Sequence, residues 1–149
     1  MTAPPNRNSR KKGTALVEFA LSWAVVWVVF WGLFEFGYAF YSYNVLLTSV
    51  GNAAELGSKM TFDAGSPATF TTAVKNMVVY GDTVTGARPL LPNLSVSNVT
   101  VSLSPDSVGP QNITISVTYQ IDAVLARFLL TNKPEVTAAF LGQTLCTGC

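Results

Sequence analysis

At 149 residues the chain has room for about one domain and an extension, which argues against a multidomain enzyme. Only 11% of residues are charged and 49% are hydrophobic, which excludes a disordered chain and points to a membrane-embedded or heavily buried portion. The formal charge of +1 conceals an asymmetry: Arg7, Arg10, Lys11 and Lys12 precede Gly13 with no acid among them, leaving five of the nine bases against all eight acids, a net of −3, from Thr14 onward. That portion has no basic patch with which to bind nucleic acid. Histidine is absent, which removes the usual base at neutral pH and the commonest metal ligand, so histidine triads and zinc hydrolase sites are excluded and neither a metal nor a cofactor is expected.

Residues 1–13, "MTAPPNRNSRKKG", are polar, basic and without apolar periodicity, and read as a disordered or removed arm. Residues 14–34, "TALVEFALSWAVVWVVFWGLF", carry a single charge, and at about 1.5 Å per residue they are long enough to cross a hydrocarbon core of about 30 Å. The four bases before this span and Glu35 after it place the arm in the cytoplasm and the C-terminal bulk outside it. A cleaved signal peptide fits poorly, because the apolar run is too long and no small-residue site follows Phe34.

Residues 35–60 contain no proline and repeat Phe36, Phe40, Tyr43, Leu47 and Val50 at three- or four-residue steps, so one helix is predicted from about Thr14 to about Lys59, roughly 65 to 70 Å long. Its second half reads as an amphipathic face packed on residues 61–149, an exported α+β domain. There Ser66 and Pro67 predict a helix start, Phe70, Val74, Met77 and Val78 one helix face, and Gly81 its end. From Val99 the period becomes two: Val99, Val101 and Leu103 alternate with polar residues, and so do Ile113, Ile115, Val117, Tyr119 and Ile121. "PDSVGPQ" supplies the turn of a hairpin, and Val136, Ala138 and Phe140 suggest a third strand. "VLARFLL", Val124 to Leu130, reads equally as a short helix or a buried loop. The economical fold class is α+β: a long helix on a small antiparallel sheet, with one short extra helix.

The junction of arm and span places Gly13 directly before Thr14, with Glu18 fifth after the glycine. It resembles the processing site of type IV pilin-like proteins, which a prepilin peptidase cuts after a glycine, leaving a glutamate at the fifth mature position. "GTALVEFAL", then Glu35, Phe36 and Gly37, then Asn52, Ala53, Ala54 and Gly57, is similar to the TadE-like family of minor pilins or pseudopilins of tight-adherence pili. "VVYG", Val78 to Gly81, and the hairpin beyond look like the family as well, giving a pilin-like architecture. The sequence departs from the pattern at "LSWAVV", where many members have a proline, at Tyr38, where a base is usual, and at Glu55, where an arginine is usual. These positions leave subunit contacts open.

The resemblance implies cleavage between Gly13 and Thr14 and a new amine four residues from Glu18. An ionised group in hydrocarbon costs about 2.5 to 3.5 kcal/mol and therefore usually has a partner. In pilin-like assemblies that partner is a neighbouring subunit's N-terminal amine, which makes Glu18 a register device. The other reading is that Glu18 reaches headgroup water and needs no partner. Trp23, Trp27 and Trp31, at four-residue steps, read as a packing stripe against other helices or as lipid-facing bulk. Cys146 and Cys149 form a C-x-x-C at the C-terminus and are candidates for a structural disulfide in an oxidising compartment.

The function implied is a non-enzymatic subunit of the tight-adherence pilus at the inner membrane, acting in assembly and adhesion. Its partners would be the prepilin peptidase, other pilin or pseudopilin subunits, the assembly machinery and membrane lipid. The alternative is an uncleaved signal-anchored protein with a small extracytoplasmic binding domain.

Overall fold

The computed structural model describes residues 7–105, 110–123 and 127–145, with side chains described from residue 13 and that of Pro105 excepted. One helix, α1, runs Arg7–Lys59. It starts before the expected Thr14, so the basic arm is helical from Arg7. Arginine and lysine are good helix formers, and Pro4 and Pro5, which cannot continue a helix interior, lie ahead of that point. The chain divides into two compact units, Met1–Gly37 and Tyr38–Cys149.

Between Phe19 and Phe34 the helix of the first unit carries no charge and is apolar on every side. Leu16, Phe19, Val25, Val28 and Phe34 are all exposed. An 18-residue window of mean hydropathy 1.9 in the helix makes it a candidate membrane span, and none of that window is buried. A helix without a polar face has no stable arrangement in water unless something covers it, and lipid is the natural cover.

The second unit is built on the C-terminal part of α1. After it come β1 (Phe62–Asp63), α2 (Pro67–Tyr80), β2 (Val99–Pro105), β3 (Pro110–Val117), β4 (Tyr119–Asp122), β5 (Arg127–Leu130), β6 (Glu135–Ala139) and β7 (Thr144–Leu145). Strands β2, β3 and β6 form an antiparallel sheet with β3 in the middle, in which Val99 pairs with Val117 and Ile115 with Val136. The alternation seen in the sequence is the burial pattern: Ile113, Ile115, Val117, Tyr119 and Ile121 are all buried. They pack with Phe70, Val74 and Val78 of α2 and with Leu46, Val50, Ala53 and Ala54 of α1 in one core.

Besides the earlier start of α1, the structure corrects four details of the sequence reading. The predicted second hairpin strand is broken at Thr118, whose backbone N–H donates to the Asn98 carbonyl at 2.9 Å while its own carbonyl accepts from Asn98 Nδ2 at 3.0 Å. Beyond the break β4 leaves the sheet and pairs antiparallel with β5. Within "VLARFLL", the stretch Arg127–Leu130 is therefore a strand, neither helix nor buried loop; residues 124–126 lie outside the described residues. Ser66 precedes α2 but makes no side-chain cap, because its hydroxyl donates to Asp63 Oδ2 at 3.1 Å. Pro67 and the left-handed Gly81, at φ 76°, do bound the helix as expected.

The fourth correction concerns the face of α1. Of the residues that predicted a packed stripe in the second unit, Phe40, Tyr43 and Leu47 are exposed and only Val50 is buried. The buried face is made instead of Ser42, Leu46, Ser49, Val50, Ala53, Ala54, Gly57 and Ser58. Small residues let the sheet and α2 approach the helix backbone closely. At Gly57 an added Cβ would lie 2.6 Å from Ile113 Cδ1 and 3.2 Å from Val74 Cγ2.

Candidate functional site

Gly13, Thr14 and Glu18 all lie within α1 and are exposed. Thr14 and Glu18 stand four residues apart, so they share a helix face with about 6 Å of rise between them. The bases Arg7, Arg10, Lys11 and Lys12 are on the same helix, upstream, and their side chains lie outside the described ones. Nothing approaches within 4 Å of a Cβ built at Gly13. A glycine inside a helix costs about 1 kcal/mol relative to alanine. At Gly57 close packing accounts for the missing side chain, whereas at Gly13, as at Gly32, Gly37 and Gly51, a Cβ would meet open space.

Above this junction the aromatic residues form a ladder. Phe19 stacks on Trp23, Trp23 meets Trp27 edge-on and Trp27 meets Phe30 edge-on, each with ring centroids 6.1 Å apart. All four side chains are exposed.

In the second unit a groove of about 420 Å³ opens between α1 and α2. Tyr41, Val45, Thr48 and Asn52 line one side and Met77, Gly81 and Leu90 the other. The sequence reading missed it, although the polar steps Asn44, Thr48 and Asn52 at four-residue spacing beside Tyr41 and Val45 were its available signal. Further along the helix Glu55 accepts from Lys59 Nζ at 2.7 Å, and that hydrogen bond, then the lysine charge, lowers the Glu55 carboxyl below its ordinary value. Tyr119 donates its hydroxyl to the Pro92 carbonyl at 2.6 Å. Burial raises its phenol above the ordinary value, with Tyr38 and Asp122 adding to the shift. Among the described residues no three or more acids or cysteines gather in a group suited to a metal. Cys146 and Cys149 lie outside the described residues.

These features define an α+β protein with, among the described residues, one apolar helix long enough to cross a membrane. Residues 13–55 match the family profile described as TadE-like protein, the family whose motifs the sequence resembles. No curated protein and no solved structure matches the chain.

Proposed function

We propose that the chain is a minor pilin or pseudopilin of a tight-adherence pilus, a non-enzymatic subunit used in pilus assembly and surface adhesion. Residues 1–13 are a cytoplasmic leader, 14–34 the span across the inner membrane, 35–60 the extension of the same helix and 61–149 the exported domain. A prepilin peptidase cuts between Gly13 and Thr14. The amine freed at Thr14 then belongs to the same helix face as Glu18, and a neighbouring subunit's amine pairs with that carboxylate in the assembled state, so that axial misplacement leaves a charge alone in hydrocarbon. The Cys146 and Cys149 thiols, once exported, form a local disulfide.

The observation that carries this reading is the place of Gly13, directly after four bases and five positions before Glu18 at the start of the apolar run. The glycine sits in a helix, where glycine is unfavourable, with open space where a side chain would be.

The test is the N-terminal residue of the protein purified from membranes of cells expressing the peptidase. A chain beginning at Thr14 is expected, together with loss of cleavage in Gly13→Leu. A chain that retains residues 1–13 in the presence of an active peptidase overturns the reading in favour of an uncleaved signal anchor.

A further inference from the structure

The sheet β2–β3–β6 ends in two edges, and the hydrogen bonds around it fix which groups each edge presents. Thr118 N–H donates to the Asn98 carbonyl, on the β2 side, and Val117 N–H to the Pro134 carbonyl, on the β6 side. In an antiparallel ladder these directions alternate residue by residue. The register carries the alternation onto β2: Thr100, Ser102 and Ser104, opposite Ser116, Thr114 and Asn112, bond to β3. Val99, Val101 and Leu103 therefore turn their backbone groups outward. The Val99 N–H is taken by the Val96 carbonyl, and Pro105 has no N–H to give. Among the described residues nothing outside the strand takes the N–H and carbonyl groups of Val101 and Leu103. Their side chains agree with an open edge, since Ile115 and Ile113 opposite them are fully buried while Val101 and Leu103 are half-buried.

The two edges differ in how they are guarded. A bare row of N–H and C=O groups recruits other strands, and natural edges are usually blunted by charge, proline or a bulge. β6 is blunted: Pro134 and Glu135 stand at its start, and just past its end Leu141 N–H donates to the Ser58 carbonyl of α1 at 2.7 Å. β2 carries no charged residue from Val99 to Pro105, and its register is unbroken as far as Ser104.

We propose that β2 pairs antiparallel with β2 of a second copy of this chain, about a two-fold axis at Ser102, so that two sheets become one. Val101 of each copy then stands opposite Leu103 of the other and exchanges both backbone bonds with it, which uses every free N–H and carbonyl of these two residues. Both faces of the strand match themselves. On the core side Val101 meets Leu103 and continues the apolar row of Ile113 and Ile115. On the outer side Thr100 meets Ser104 and Ser102 meets Ser102, extending a hydroxyl row in which Thr114 and Thr137 already bond at 2.9 Å. Pairing β2 with β6 of a second copy lacks this match, because β2 has no base to set against Glu135. The two-fold arrangement also closes on itself, since each copy spends its one unguarded edge of this sheet. None of this depends on cleavage at Gly13 or on the pilus.

Opposite residues at such an axis have Cα atoms about 4.5 Å apart, within the span of a disulfide. The test uses the full chain in detergent, carrying Cys146→Ser and Cys149→Ser and one new thiol, either Ser102→Cys or Thr137→Cys on the β6 edge. Mild oxidation is expected to double the mass of the Ser102→Cys chain on a non-reducing gel and to leave Thr137→Cys single. Equal linking of the two overturns the proposal as chance encounter. Linking only when the two variants are mixed overturns it in favour of a head-to-tail sheet, and a single chain throughout overturns it outright. Residue-resolved amide exchange of the chain without a new thiol gives a second reading. Val101 and Leu103 are expected to exchange as slowly as Ser102, and fast exchange at 101 and 103 beside slow exchange at 102 overturns the pairing. Ser102→Lys sets like charges face to face at an exposed position, and should release the amides at 101 and 103 while the amide at 102, bonded to β3, stays slow.

Discussion

Gly57 and Gly51 lie six positions apart on α1 and offer a test of how that helix is packed. At Gly51 nothing lies within 4 Å of an added Cβ, whereas at Gly57 it would meet Ile113 Cδ1 at 2.6 Å and Val74 Cγ2 at 3.2 Å. Ile113 and Val74 are fully buried, so neither can yield by turning into solvent. Alanine is favoured over glycine in a helix by about 1 kcal/mol, and this term acts equally at both positions. Forcing an extra methyl into a filled core costs about 1 to 3 kcal/mol, and this term acts only at Gly57.

Gly51→Ala should therefore stabilise the protein by about 1 kcal/mol. Gly57→Ala should be neutral to about 2 kcal/mol destabilising, the difference between the two terms. The variants are compared in detergent by thermal melting followed in near-ultraviolet circular dichroism, where 1 kcal/mol moves the midpoint of a domain of this size by roughly 4 °C. A Gly57→Ala protein that melts with or above Gly51→Ala would refute the close approach of sheet and helix.

Three further outcomes are expected. Gly142→Ala would drive a Cβ into the Met60 carbonyl, and because the colliding group is backbone, the loss should be near the upper end of about 1 to 3 kcal/mol; amide exchange at Phe62 and Leu141, which donate to Gln143 and Ser58 at 2.8 and 2.7 Å, should accelerate with it. The raised Tyr119 phenol keeps its proton in the folded state when the unfolded chain has begun to lose it, so this residue's contribution to stability is full below about pH 10 and declines above it. Tyr119→Phe, measured by denaturant titration from pH 8 to 11, should flatten that decline and cost about 1 kcal/mol at neutral pH through the lost bond to Pro92. Glu18→Gln should leave cleavage at Thr14 unchanged and sharply reduce filaments counted by electron microscopy; normal filament numbers would remove the role of its charge in register.

The strands were legible in the sequence where one face is buried and the other wet, because such burial writes itself as alternation: Ile113 through Ile121 could be read without the structure. The short helix was legible because Pro67 and Gly81 punctuate it. Residues 127–130 were not, since Phe128 and Leu129 are uncovered on both faces and leave no period to find. The packed face of α1 was misread for a different reason. Apolar periodicity selects large side chains, but a close approach is made by small ones, so Ser42, Ala53, Ala54 and Gly57 are buried while Phe40 and Leu47 remain outside. At the junction the sequence showed Gly13 and Glu18 together with their spacing. The structure adds that no packing demand explains the glycine, which the residues alone could not say.

The smallest sheet in the molecule has a temporal consequence. Strands β1 and β7 are two residues each and pair parallel, Phe62 with Thr144 and Asp63 with Leu145, so partners 82 positions apart must meet. Local elements such as α2 can form as soon as they emerge, but this pairing closes a loop that encloses all the other strands and α2. If the exported domain crosses the membrane from its residue-61 end onward, the seam between β1 and β7 cannot close until residue 145 has crossed, so a subunit halted earlier would present an unzipped edge to whatever assembles it.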